Sequence, residues 1–100
     1  MSTYLISAVE VLDGEVEAAK IHRVVRRPGG NGAGITEGKL EHFTDIAGLA
    51  VREEVYVGRA SGAGGIEFGS RVCVQGRLKH LCSVDEDGQP NVELFNLPRI

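Results

Sequence analysis

A chain of 100 residues, 42% hydrophobic and 25% charged, has the length of one small globular domain (1–100) and is too short for a two-lobed cofactor fold. Its net charge of -3 gives no long-range pull toward nucleic acid or an acidic membrane. The start, MSTYLISAVEVLDGE, lacks a basic segment and reaches acids early, so it reads as neither a signal peptide nor a spanning helix, and the expected location is cytoplasmic.

Tyr4 to Leu12 and Val16 to Val25 are β-branched-rich runs around Asp13-Gly14, the signature of a β-hairpin. A two-residue turn in regular register pairs Glu10 with Glu17, which is unfavourable. A three-residue loop avoids that pairing, so the register stays open. The second strand ends in Arg23, Arg26 and Arg27 and meets Pro28, after which GGNGAG (29–34) breaks regular structure. Ile35 to Phe43 has a weak pattern, either a short edge strand or loop. Thr44-Asp45 reads as a cap and first-turn acid, with Ile46, Leu49 and Ala50 at helical spacing. Glu54 to Val57 is a third strand closed by Gly58, and ASGAGG (60–65) is a second glycine loop.

Arg71 to Val84, RVCVQGRLKHLCSV, alternates with period two and is too long for one strand. A turn near Gly76 with an odd-length loop, Val74-Gln75-Gly76, pairs Val72 with Leu78 and keeps even positions on one face. Cys73 and Cys82 then point to opposite faces, which argues against a disulfide between them and for two thiols in a reducing compartment. Asp85 to Gly88 is an acidic turn, and Val92 to Leu97 is a last strand or a tail on the core. The expected fold is α+β: a mainly antiparallel sheet of about five strands built from hairpins, with one short helix on one face.

Candidate chemistry is sparse. Gly29 to Thr36, GGNGAGIT, has phosphate-loop glycine spacing, but Ile35 replaces the lysine that contacts phosphate, and no cofactor is expected. His80-x-Cys82 lacks the second ligand pair of a zinc site, so no metal is expected. Neither thiol has an imidazole plus a third orienting group, and the neighbouring carboxylates sit in solvated turns, which argues against an enzyme and leaves no catalytic residue to name.

Lys20, Arg23, Arg26 and Arg27, with Arg71, Arg77 and Lys79, form two basic strand faces that are the candidate nucleic-acid contacts, although base-stacking aromatics are missing beside them apart from Tyr4.

Val55-Tyr56-Val57, Val72-Cys73-Val74, His80-Leu81-Cys82-Ser83, Asp85, Leu94 and Leu97-Pro98 together resemble the small bacterial domain-of-unknown-function family numbered 3892. That family has a V-x-V strand, a Y-L-x-T strand, an acid soon after and an L-x-x-L-P ending. His80 and Ser83 stand where an aromatic and a threonine are usual, and the two glycine loops lengthen the middle. The resemblance implies no activity and no catalytic residues. The expected function is therefore that of a non-catalytic binding domain with a protein partner, working through a sheet edge or the glycine loops. A nucleic-acid-binding module is the alternative. No membrane is expected as partner, and a homodimer by sheet extension is compatible with an exposed edge.

Overall fold

The computed structural model describes residues 2–26, 33–60, 66–77 and 80–100. The first strands are β1 (Thr3–Leu12), β2 (Glu15–Arg26), β3 (Ala33–Ile35) and β4 (Lys39–His42). Helix α1 (Phe43–Arg52) follows, then β5 (Glu54–Ala60), β6 (Ile66–Gln75), β7 (His80–Val84) and β8 (Pro90–Asn91). A 3₁₀ turn at Leu94–Asn96 precedes the C-terminal tail. The fold is α+β, with eight strands among the described residues, ordered β3-β2-β1-β5-β6-β7-β8 with β4 also paired to β2. The number exceeds five because β3, β4 and β8 are only three, four and two residues long, too short for a periodic signal. All pairings are antiparallel except β1 with β5. Most of the GGNGAG loop and of the ASGAGG loop, together with Arg27 and Lys79, lies outside the described residues.

The first hairpin settles the open register by a third route. Leu12 pairs with Glu15 across a two-residue turn, in which Asp13 and Gly14 have φ of 51° and 78°, the mirror-image turn that matches strand twist. Glu10 escapes Glu17 through a bulge: Val11 pairs with Val16, whereas Glu10 pairs with Ala18, leaving Glu17 unopposed. A second bulge on β1, at Ser7 between Ile6 and Ala8, restores the original register. Each bulge shifts the alternation by one, so Ile6 and Val9 on β1, and Val16, Ala19 and Ile21 on β2, all reach the same core.

Helix α1 packs Ile46 and Ala47 into that core beside Val55, Val57, Val72 and Leu81. Its cap is His42 rather than Thr44: the imidazole accepts the Thr44 N–H at 3.4 Å. β5 runs through Gly58 to Ala60 instead of stopping there. The C-terminal segment carries Leu94, fully buried, into the core. It then lies along β1, where Val9 N–H donates to the Pro98 carbonyl at 2.9 Å and Ile100 N–H donates to the Val9 carbonyl at 3.1 Å. β5 pairs only with Thr3 to Ile6 of β1, so the tail satisfies the edge that β5 leaves open.

The later hairpin corrects the expected register. Gln75 faces His80, which puts Val74 opposite Leu81, Cys73 opposite Cys82 and Val72 opposite Ser83. Parity therefore reverses between the two strands, and Val72 meets Ser83 rather than Leu78. On β6 the even positions Val72 and Val74 face the core; on β7 the odd positions Leu81 and Ser83 are fully buried. A polar Ser83 is tolerated there because its hydroxyl donates to Asn91 Oδ1 at 2.6 Å and accepts the Leu94 N–H at 3.1 Å. These partners come from the C-terminal segment and are invisible to strand alternation.

Candidate binding groove

One register row crosses the sheet on the face opposite the core: His22, Leu5, Tyr56, Arg71 and Val84 are successive strand partners. At its β5–β6 end the row opens into a groove of about 880 Å³. Tyr56 and Phe68 form one wall, with ring centroids 5.3 Å apart in edge-to-face contact. Arg71 stands beside them, and the turn carrying Asp85, Glu86 and Asp87 lines the groove as an acidic wall. The turn is held by Asp85, whose carboxylate accepts the N–H groups of Asp87 and Gln89, each at 2.9 Å.

The groove floor is built on a bulge in β6. Tyr56 pairs with Arg71 but Gly58 pairs with Phe68, so Gly69 and Ser70 together face Val57. Glu93 plugs this irregularity. Its carboxylate takes the Arg59 guanidinium in a two-pronged pair, both bonds 2.6 Å, and accepts the Ser70 N–H at 3.2 Å and hydroxyl at 2.8 Å. Asn91 extends the network by donating to Ser70 Oγ at 2.9 Å. Gly69 is required by close approach: a Cβ there overlaps Glu93 Oε1 and comes within 2.9 Å of the Val57 carbonyl. Hydrogen bonds from Arg59, and secondarily from Ser70, hold the Glu93 carboxyl at about 2 against the opposing effect of burial. The pairing raises Arg59 in turn. Both charges are thus committed to the floor, and the open charges of the groove are Arg71 and the acidic turn.

The basic residues do not merge into one strip. Lys20 and Arg23 are exposed on β2, three residues apart and therefore on opposite faces by alternation. Arg71 lies three strands away, about 14 Å at the usual strand spacing, and Arg77 is exposed in the turn after β6. The side chain of Arg26, like the whole of Arg27 and Lys79, lies outside the described residues. Arg71 has Tyr56 and Phe68 beside it, two aromatics beyond the expected Tyr4, which is the cross-strand partner of Arg23. Phe68 escapes a sequence reading because Gly69 masks the start of β6; the alternation of Ile66 and Phe68 was the available signal.

Both bulged residues of the first hairpin hold a histidine. Glu17 meets His42 Nε2 at 3.2 Å. Ser7 Oγ lies 2.7 Å from His22 Nε2, while His22 Nδ1 donates to the Thr36 carbonyl at 2.9 Å. In the neutral ring this carbonyl fixes the proton on Nδ1, so Nε2 accepts from the Ser7 hydroxyl. The pair has the hydrogen bonding of a nucleophile and base, but His22 is buried against Gly38 and the groove does not reach it. It pins the β3–β4 connection to β2. Among the described residues no three His, Cys, Asp or Glu side chains gather at one point, and no helix is long and apolar enough to cross a membrane.

No family model, curated protein or solved structure matches the chain.

Proposed function

We propose that the protein is a non-catalytic binding domain of the cytoplasm. Its partner is an extended polypeptide segment, basic and carrying an apolar side chain, held in the groove between β5–β6 and the Asp85–Gly88 turn. The observation that carries this reading is Phe68, 53% exposed in a groove that Asp85, Glu86 and Asp87 also line. Covering an aromatic ring of this kind contributes about 1–3 kcal/mol, and the acidic wall selects and orients a cationic partner. The same wall disfavours the nucleic-acid alternative, because phosphates drawn to Arg71 face the carboxylates of Asp85, Glu86 and Asp87. Strand addition at β8 is a weaker route: that edge is two residues long and one of them is Pro90, which offers no N–H.

Fluorescence anisotropy with a labelled decapeptide of alternating lysine and leucine tests the reading, beside a glutamate–leucine decapeptide, oligo-dT and a DNA duplex. Binding of the lysine peptide alone, weakening with salt, is expected. Oligonucleotide binding with both peptides inert replaces this reading with the nucleic-acid one, and silence from all four probes removes both.

A further inference from the structure

The register of β6 and β7 sets Cys73 directly opposite Cys82, with the sulfur atoms 2.8 Å apart and both residues free thiols. We propose that this pair is a reversible oxidation site, closed to a cross-strand disulfide by a peroxide or a low-molecular-weight disulfide and reopened by thiol reductants.

The two sulfurs are unequal. Cys73 is half-buried, whereas Cys82 is 9% exposed. Burial, followed by the hydrogen bond to Cys73, pushes the Cys82 thiol up to about 12. Cys82 therefore stays protonated, and Cys73 is the sulfur that meets an oxidant from solution first. With a peroxide, the Cys73 thiolate attacks the O–O bond to give a sulfenic acid and release water or an alcohol. Cys82 then attacks that sulfur, the S–O bond breaks, and its proton leaves with the hydroxide as water. Two thiols and one peroxide yield one disulfide. With oxidised glutathione, Cys73 forms a mixed disulfide and releases one glutathione, and Cys82 displaces the second.

Closure needs only a small displacement, since bonded sulfurs lie at about 2.05 Å. Directly opposed strand positions hold their Cβ atoms about 4.5–5.5 Å apart, wider than the mean of about 3.8 Å in disulfides. The bond therefore draws the strands together against the sheet and is easily reduced, the behaviour of a labile rather than a structural bridge. Cys82 also borders a shallow depression of about 460 Å³ with Glu15, Gln75, His80 and Phe95, so the displacing sulfur lies at a surface recess rather than sealed in the core.

The sequence supplies a direct readout. Trypsin cleaves after Arg71, Arg77 and Lys79, so Cys73 leaves in peptide 72–77 and Cys82 in peptide 80–99. The folded full-length protein is equilibrated in glutathione buffers from fully reduced to fully oxidised, alkylated, digested without reductant and mapped by mass spectrometry. The expected result is a linked pair of peptides, a loss of two hydrogens from the intact mass and a fall from two free thiols to none, all reversed by dithiothreitol. A Cys82→Ser variant is expected to retain glutathione on Cys73, because the displacing thiol is gone. Separate peptides at every ratio, or a lasting glutathione adduct on Cys73 in the wild-type protein, overturns the proposal. If Cys82→Ser fails to fold, the wild-type map alone decides.

Discussion

Glu93 and Arg59, 34 residues apart in sequence, meet through two parallel hydrogen bonds of 2.6 Å across the bulge that forms the groove floor. The pair couples the C-terminal segment to β5 and β6, so its charge state governs how firmly the groove is closed from below. Because folding lowers the Glu93 carboxyl from 4.5 to about 2, its contribution is complete above pH 4.5 and is lost as pH falls through 2. Glu93→Gln is expected to reduce stability by about 1–3 kcal/mol at pH 7. Urea unfolding measured at intervals from pH 7 to pH 2 should show the wild-type advantage shrinking below pH 4.5. An unchanged difference between the two proteins at pH 2 and pH 7 contradicts the assignment.

Gly69→Ala tests the same floor sterically. The new methyl group displaces Glu93 and presses on the Val57 carbonyl, and the expected loss is about 1–3 kcal/mol. In the double variant with Glu93→Ala, part of that loss should disappear because one of the two clashing partners is removed. Strict additivity in thermal melts argues against contact between these positions.

Phe68→Ala separates binding from folding. The side chain is more than half exposed and its recorded aromatic partner is Tyr56, so stability should fall by only about 0.5–1.5 kcal/mol, while anisotropy with the lysine–leucine peptide should fall to background. Asp87→Lys should weaken the same binding and flatten its salt dependence. Full binding by Phe68→Ala removes the groove from the account.

Gly14→Ala tests the first turn. A Cβ there meets nothing within 4 Å, yet φ is +78°, so any cost is one of backbone conformation alone, about 1 kcal/mol. Gly14→Asn, a residue tolerant of this region, should lose less. Equal midpoints for the two variants in chemical denaturation contradict the turn geometry.

Alternation and punctuation determined much of this protein. The period-two runs around Asp13-Gly14 marked the first hairpin, the helical spacing of Ile46, Leu49 and Ala50 placed α1, and Gly76 marked where the chain leaves β6. These features depend on residues near one another in sequence, and local sterics and burial periodicity suffice to specify them. The tertiary structure decided the rest. The sequence offered a three-residue loop as the way to keep Glu10 from Glu17, whereas the fold keeps the two-residue turn and inserts a pair of bulges whose extra residues bond His22 and His42. The parity of β7 was fixed by Asn91 and Leu94, which satisfy the buried Ser83 hydroxyl from the far end of the chain. The resulting register, with Val72 opposite Ser83 rather than Leu78, set Cys73 opposite Cys82 after alternation had put them on different faces. The groove floor is likewise tied down from the far end of the chain, where Glu93 meets the Gly69–Ser70 bulge. A polar group satisfied at long range is a three-dimensional fact, and the strand pattern carries no trace of it.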